Sequence, residues 1–257
     1  MHALVEAWRR LDVGQPPYVM PEDLPSIPHD MMVQYPTFSA FAASADFGSQ
    51  DTRLHVGLLP MPYMGDLENA AIFLLMLNPG LEYGDYAAEL DVPGTRERLL
   101  QNLRQELGQA DCPFTLLDPA MVLHPGFRYW ERKFRAIAGE LSCQCGVSYR
   151  EALSRLAKRV AGLELVPYHS PRFGLRPKEV NALRSAQLAR DYFHRVLVPR
   201  AERNQAMVIV LKAAGSWDPP PHENVVVLRG GQALGAFITP KTKAGQAIMR
   251  RLRLKVA

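Results

Sequence analysis

The triplet Asn78-Pro79-Gly80 stands where an unbroken apolar run, Ala70–Leu77, comes to its end. Such a run predicts a central strand that is covered on both faces. An asparagine amide at the end of a buried strand can hold a water molecule or a ligand, because it offers both donor and acceptor groups. Asn-Pro-Gly is also a common turn sequence, so a plain strand-to-loop turn is the alternative.

Three further predicted strand ends carry polar or glycine-rich loops: YHSPRFG from Tyr168, KAAGSW from Lys212 and RGGQALG from Arg229. His169 and Lys212 can donate hydrogen bonds to a ligand, and Asp85, close after the NPG turn, can supply a carboxylate. Aromatic residues near these loops can stack on a planar ligand or simply cover the end of the sheet; they are Tyr83, Tyr86, Tyr168 and Phe173.

Predicted strands and helices alternate along the chain after residue 54. Strands are expected within LHVGLLPMPY, at Ala71–Leu77, and within LELVPY, MVIVLKAAG and VVVLRGG. Helices are expected at Thr95–Leu107, Phe127–Leu141, Ser148–Ala161 (closing at Gly162), Pro177 to about Glu202, and from Pro240 onward. This alternation predicts an α/β three-layer sandwich around a central, mostly parallel four-stranded sheet. Ligands of such sheets bind beyond the carboxyl ends of the strands, where the polar loops lie.

Composition restricts the class of protein. The 257 residues divide into an N-terminal helix and proline-rich arm (1–50) and one larger domain (51–257). The proline-dense stretch 15–28 is expected to lie outside the core. Three cysteines are too few for a disulfide framework or a closed metal site, which indicates free thiols in a reducing compartment. Neither a metal nor a cofactor is expected. No apolar run reaches the ~18 residues of a membrane span, and the N-terminus does not resemble a signal peptide, which favours a cytoplasmic protein without a membrane partner.

The C-terminal stretch KTKAGQAIMRRLRLKVA is basic and contains no acidic residue, although the whole chain carries a formal net charge of only +4. Its basic residues are Lys241, Lys243, Arg250, Arg251, Arg253 and Lys255. Such a cluster favours a polyanionic partner, and a solvated helix face is the alternative.

The stretch LMLNPGL at Leu75–Leu81 resembles the first motif of the uracil-DNA glycosylase superfamily, in the form used by its mismatch-specific uracil/thymine branch. In that branch the asparagine holds the attacking water. HPGFRYWERKF at His124–Phe134 is similar to the segment in which an aromatic-Trp pair opens a helix. The order of LVPYHSPRFGLRP, a long helix and MVIVLKAAGSW also matches, so that the resemblance covers roughly Leu54 to Leu252.

The loop after the last predicted strand departs from the family pattern. The family usually carries a His-Pro-Ser-Pro or Asn-Pro-Ser type loop that enters the minor groove and grips the phosphates, whereas this chain has RGGQALG at 229–235. Leu234 aligns with an intercalating wedge, but the preceding histidine or asparagine is missing. The three glycines of this loop leave space, which favours a base with a bulky substituent.

The resemblance implies a monofunctional DNA glycosylase that flips a modified pyrimidine out of DNA and hydrolyses its N-glycosidic bond. A looser likeness to phage-defence glycosylases makes glucosylated hydroxymethylcytosine the first candidate base, with a role in antiphage defence. The expected catalytic residues are Asn78, Asp85 and His169. The expected base pocket consists of Pro79, Gly80, Tyr83, Tyr86, Tyr168, Phe173 and Lys212. The expected DNA contacts are Arg172, Arg229, Gly230, Gly231, Gln232, Leu234, Lys241, Lys243 and Arg250.

Other functions stay open at this point. The chain could be a repair glycosylase for uracil or mismatched thymine, a non-catalytic DNA-binding protein with a glycosylase fold, or a hydrolase of free nucleosides. The expected partner in the first two cases is DNA, and a monomer is expected in all. His124, Tyr129 and Trp130 are expected mainly to pack a helix onto the sheet, with a lesser prospect that His124 lines the site.

Overall fold

A five-stranded sheet lies at the centre of the molecule. The structure, a computed structural model, describes residues 2–108, 110–229 and 238–255. The strands of this sheet are β3 (Tyr63–Met64), β4 (Ile72–Met76), β5 (Val160–Glu164), β6 (Met207–Val210) and β7 (Val225–Val227). A separate parallel pair is formed by β1 (Met32–Val33) and β2 (Leu54–His55).

The strand order in the sheet is β3-β5-β4-β6-β7, with β3 antiparallel to β5 and the other neighbours parallel. Leu74 of β4 pairs with Gly162 on one side and with Ile209 on the other. Every residue of β4, β5 and β6 is buried, as expected for strands covered on both faces. The predicted mixed α/β fold with a mostly parallel central sheet is confirmed. The sheet has five strands rather than four because the proline-interrupted segment before β4 supplies the antiparallel edge strand β3.

The connections diverge at the middle of the sheet. The chain leaves β4 toward β5 on one side, and it later leaves β6 toward β7 on the other side. The carboxyl ends of β4 and β6 therefore border a crevice of the kind in which open α/β sheets bind ligands.

The α-helices within the described residues are α1 (Ala3–Arg9), α2 (Phe38–Ala42), α3 (Gly84–Leu90), α4 (Thr95–Leu103), α5 (Pro125–Cys145), α6 (Tyr149–Ala157), α7 (Pro177–Ala182), α8 (Arg184–Tyr192), α9 (Val198–Glu202), α10 (Ala214–Trp217) and α11 (Lys243–Leu252). The predicted cap of α6 is present, since the Ser148 hydroxyl accepts a hydrogen bond from the Glu151 N–H at 3.2 Å. However, α6 ends at Ala157, and Gly162 lies inside β5 rather than at a helix end.

The single long helix predicted from Pro177 to Glu202 is three helices and a π-helical segment in the structure. Leu183 has extended backbone angles (φ −65°, ψ 128°), which separates α7 from α8. The segment Phe193–Leu197 is π-helical and runs directly into α9. The terminal helix begins at Lys243 instead of Pro240, because Thr242 caps it by accepting from the Gly245 N–H.

The N-terminal arm is part of the core, and the prediction that it lies outside is wrong. Tyr18, Val19, Met20 and Ile27 are buried and belong to the same apolar cluster as the sheet. The prolines of this segment keep it irregular, but the apolar residues between them still bury their side chains. Asp23 is fully buried as well. Its carboxylate accepts hydrogen bonds from the Tyr168 hydroxyl and the Ser185 N–H, and these bonds compensate for the loss of water.

Helix α5 is the longest helix and ends at Gly146, which adopts the left-handed conformation (φ 63°). Cys143 and Cys145 are exposed at its carboxyl end, and Cys112 is half-buried. No helix within the described residues has the length and apolar character that a membrane crossing requires.

Candidate functional site

A cavity of about 470 Å³ lies at the carboxyl ends of β4, β5 and β6. This volume falls within the range that is usual for small-molecule sites. Its walls include the apolar residues Met61, Leu116, Tyr129 and Trp130. Its polar lining residues include Asn78, Glu82, Asp85, His124, Glu164, His169 and Lys212. Few polar groups converging in a mostly apolar cavity are typical of a binding or active site.

Asn78 follows β4 and lines this cavity with its amide held in one orientation. Its Nδ2 group donates to the Pro79 carbonyl at 2.8 Å and to the Ser170 hydroxyl at 2.9 Å. Within the described part of the chain, Oδ1 accepts no hydrogen bond. The amide therefore keeps a free acceptor that can orient a water molecule.

His169 follows β5 and is almost completely buried. Its Nδ1 lies 2.8 Å from the Gly80 carbonyl oxygen, and since a carbonyl can only accept, Nδ1 carries the proton. Burial lowers the pKa of the ring, so the neutral form is favoured. The buried Nε2 then carries a lone pair, and it has no hydrogen-bond partner among the described residues. His169 lines the cavity, but its Nε2 is enclosed and carries no proton, so the ring is not arranged as the donor that the sequence suggested.

Asp85 lies in the first turn of α3 and faces His124 across the cavity. Its Oδ2 accepts the Glu82 N–H at 2.7 Å, and its Oδ1 lies 3.8 Å from His124 Nδ1. That nitrogen already accepts the Gly126 N–H at 3.0 Å as the cap of α5, and burial lowers the pKa of His124 to about 4. The two side chains therefore form no ion pair.

The environment of Asp85 makes it a potential general base. Burial raises the pKa of its carboxyl to about 7, and the charges of Glu82 and Glu89 add to this effect, whereas the Glu82 N–H opposes it. A carboxyl group whose pKa is close to neutral can take a proton during a reaction and release it afterwards.

Glu164, the last residue of β5, was missed as a site residue from the sequence. Its Oε2 is buried and makes no hydrogen bond to any described residue. Burial raises the pKa of its carboxyl well above the usual range, an effect that Lys133 of α5 opposes. Burial likewise lowers the pKa of Lys133 to about 8, and Lys212 contributes to this shift. A signal was present, because Glu164 is the one charged residue in the apolar stretch VAGLELVPY.

The four aromatic residues expected in the pocket lie elsewhere. Tyr86 is buried against Phe41, with ring centroids 4.6 Å apart, and Tyr168 reaches away from the cavity to Asp23. Tyr83 is exposed, and Phe173 packs against the core. Tyr129 and Trp130 line the cavity, as do Pro79, Gly80 and Lys212. Trp130 also packs α5 onto the sheet, as expected, because its ring lies close to Gly162 of β5.

The structure describes some of the residues that are expected to contact DNA. Arg172, Arg229, Lys241, Lys243 and Arg250 are exposed. Gly230, Gly231, Gln232 and Leu234 lie outside the described residues. Arg251 differs from its neighbour Arg250, because its guanidinium donates to the backbone carbonyls of Asn204 and Gln205.

Comparison with known proteins adds no relative: no protein-family model, no curated protein and no solved structure matches this chain. In the described ranges no three His, Cys, Asp or Glu side chains are grouped as metal ligands would be.

Proposed function

We propose that this protein is a monofunctional DNA glycosylase with a three-layer fold of the uracil-DNA glycosylase type, acting as a cytoplasmic monomer. It would flip a modified pyrimidine into the cavity and hydrolyse the bond between base and sugar. The observation that carries the proposal is the presence, in one cavity, of the Asn78 amide with a free acceptor and the Asp85 carboxyl with a pKa near 7.

The chemistry of base excision matches these groups. As the bond from sugar to base breaks, positive charge grows on the sugar and negative charge on the base, and fixed polar groups can stabilise both. Asn78 Oδ1 would accept a hydrogen bond from the attacking water, and ionised Asp85 would take the proton of that water. Lys212, which also lines the cavity, would favour negative charge on the departing base. Excision should therefore slow below about pH 7, where Asp85 is protonated.

DNA is the proposed partner because exposed basic side chains follow the last strand and continue along α11. Arg229, Lys241, Lys243 and Arg250 could contact phosphates without contributing sequence specificity. The proposed substrate is a modified pyrimidine, with glucosylated hydroxymethylcytosine of phage DNA as the first candidate. This choice is based on the resemblance and on the glycine-rich sequence at 229–235.

The experiment that tests the proposal is mass spectrometry of bases released from a panel of DNAs, each with one modified pyrimidine, uracil or mismatched thymine. Release of one base by the intact protein supports a glycosylase. DNA binding without release from any substrate would contradict it and favour a non-catalytic DNA-binding protein. Release from free nucleosides at an equal rate would instead favour a nucleoside hydrolase.

The product distinguishes a monofunctional enzyme from one that also cuts the strand. Strand cleavage needs a lysine amine that attacks the sugar, and the two lysines near the cavity are Lys133 and Lys212. Lys133 does not line the cavity, and its charge faces Glu164. Lys212 lines the cavity and is assigned to the departing base rather than to the sugar, so end-labelled DNA should remain full length until hot alkali is added. A covalent adduct trapped by borohydride would contradict a purely hydrolytic mechanism.

A further inference from the structure

Glu164 is a buried carboxyl group that lines the cavity, and one of its oxygens has no hydrogen-bond partner among the described residues. It is only 9% exposed, and its Oε2 makes no hydrogen bond within the described residues. The sheet fixes its position, because Glu164 pairs in register with Met76 of β4, two residues before Asn78, and its N–H donates to the Pro62 carbonyl at 2.9 Å. The carboxyl and the Asn78 amide therefore extend from adjacent strands into one cavity.

The fold itself gives no reason for a carboxyl group at this position. An unpaired buried polar group destabilises a folded protein, and an apolar residue would suit the end of a buried strand better. The neighbouring charged and titratable groups are Lys133 and Tyr129 of α5 and Lys212 after β6. They can stabilise the ionised carboxyl transiently, but none of them forms a hydrogen bond with Oε2. A ligand is the natural partner for this oxygen.

We propose that Glu164 binds the amino-and-ring-nitrogen edge of a cytosine-type base and donates a proton to ring N3 as the base leaves. This inference rests on the proposed glycosylase function and names its substrate class. A protonated carboxyl offers one acceptor and one O–H donor side by side, which match the exocyclic amine and the N3 lone pair of cytosine. Burial raises the pKa of Glu164 well above its usual range, which favours the protonated form, and the charge of Lys133 opposes this effect.

The proton matters because a cytosine-type base is a poor leaving group as an anion. When the C1′–N1 bond breaks, its electron pair moves to the base, and the proton of Glu164 moves to N3, so that the base departs neutral. The water oxygen bonds to C1′, and the water proton moves to the Asp85 carboxylate. Glu164 is then ionised beside Lys133 and Lys212, Asp85 is protonated, and exchange with solvent restores both groups.

Uracil-type bases do not require a proton from a carboxyl group in order to leave. Their N3 already carries a proton, and they can depart as comparatively stable anions that need cationic or N–H donors rather than an acid. A carboxyl group in the lining of the cavity therefore favours aminopyrimidines. The substituent at ring position 5 is not read by Glu164 in this arrangement, which leaves a modified cytosine compatible with the cavity.

The test compares two DNAs that differ only in this edge, one with a single 5-hydroxymethylcytosine and one with a single 5-hydroxymethyluracil. The native protein should release the cytosine-type base at least ~10-fold faster in single-turnover experiments.

Glu164→Gln keeps one donor and one acceptor but cannot deliver a proton. We expect it to lower the single-turnover rate by roughly 10²-fold or more while the half-saturating DNA concentration stays within about twofold. Glu202→Gln, at an exposed position in α9, is the matched control and should change neither quantity.

A preference for the uracil-type base, or an unchanged rate for Glu164→Gln, would overturn the inference while leaving a glycosylase in place. Saturation-transfer NMR measures the binding of free 5-hydroxymethylcytosine and free 5-hydroxymethyluracil. This measurement separates the proposed excision of a base from the proposed recognition of the base by Glu164. If no DNA releases a base but the free cytosine-type base binds and Glu164→Ala abolishes that binding, excision is refuted and recognition by Glu164 is upheld. If neither free base binds and no DNA releases a base, both proposals fail.

Discussion

At the scale of single residues, hydrogen-bond direction decides what the site can do. Backbone groups fix the tautomers of the two histidines in opposite ways. His169 donates through Nδ1 to the Gly80 carbonyl, whereas His124 accepts the Gly126 N–H through Nδ1. Neither ring is set to be the acid of a reaction, because burial lowers the pKa of both. Proton transfer in this cavity therefore falls to the carboxyl groups of Asp85 and Glu164.

Asn78→Ala should reduce base release in single-turnover experiments by roughly 10²-fold or more, because a preorganised polar group that acts in the transition state is lost. Folding and DNA affinity should change little, since the amide donates only to two carbonyls and a hydroxyl of nearby loops. Asn181→Ala, at an exposed position in α7, is the matched control. An unaltered rate in folded Asn78→Ala protein would remove Asn78 from the mechanism.

Asp85→Asn should stabilise the protein at high pH. The unfolded carboxyl ionises near pH 4, whereas burial raises the pKa in the folded state to about 7, so the contribution of Asp85 to stability is greatest at low pH and declines as pH rises from 4 to 7. A neutral amide can still accept the Glu82 N–H and avoids the buried charge. The unfolding free energy of the variant, relative to the native chain, should therefore be larger at pH 8 than at pH 4.5, by roughly 2–4 kcal/mol.

Urea denaturation at the two pH values measures this difference. Asp30→Asn, which changes an exposed carboxyl group, should give the same offset from the native chain at both pH values. If Asp85→Asn also showed no pH-dependent offset, Asp85 would not have a raised pKa and could not act as the proposed base.

At the scale of elements, sequence patterns predicted β4 well and β5 poorly. Local sequence shows whether a strand is apolar, but it does not show which distant side chains pack on that strand. An uninterrupted apolar run such as that of β4 suits a strand buried on both faces. In β5, Gly162 resembles a helix end, but it lies in the sheet with the rings of Trp130 and Phe114 close to its open side. Those rings come from distant parts of the chain, so local sequence cannot reveal why a glycine belongs there.

Helix α11 offers a matched pair of arginines for testing its role. Arg250→Ala should reduce the slope of log affinity against log salt for DNA binding by about one unit, because an exposed phosphate contact is lost. Arg251→Ala should leave the slope unchanged and lower the unfolding free energy by about 1 kcal/mol, because its guanidinium is bound to the Asn204 and Gln205 carbonyls. The sequence could not separate the two residues, since only the fold determines which one faces the turn before β6. A slope that depends on neither arginine would make α11 a solvated surface.

At the scale of the whole molecule, the N-terminal arm supports the loop that carries His169. Asp23 accepts the Tyr168 hydroxyl at 2.6 Å and the Ser185 N–H at 3.0 Å, and Tyr168 precedes His169 in the chain. The sequence correctly predicted that polar loops meet at the carboxyl edge of the sheet. It could not predict which side chains enter the cavity, because Tyr168 and His169 differ by one residue and point to different surroundings.

Asp23→Ala should lower the unfolding free energy by roughly 2–3 kcal/mol, because it leaves a buried hydroxyl and a buried N–H without their acceptor. Base release by the folded fraction should fall as well, since the loop that holds His169 loses an anchor. Glu22→Ala, at the exposed neighbouring position, should alter neither quantity. Thermal unfolding and single-turnover rates measure the two effects, and a native-like melting temperature for Asp23→Ala would show that the arm is dispensable for stability.

The length and direction of α5 make the protein convenient for optical measurements. The helix starts at His124, which lines the cavity, and Cys143 is exposed near its other end. At 1.5 Å per residue the two positions are roughly 28 Å apart. With Cys112 and Cys145 changed to Ser, a fluorophore on Cys143 would be remote from the chemistry yet within energy-transfer range of a dye on bound DNA. Single-molecule traces could then time the arrival and departure of DNA without perturbing the reaction.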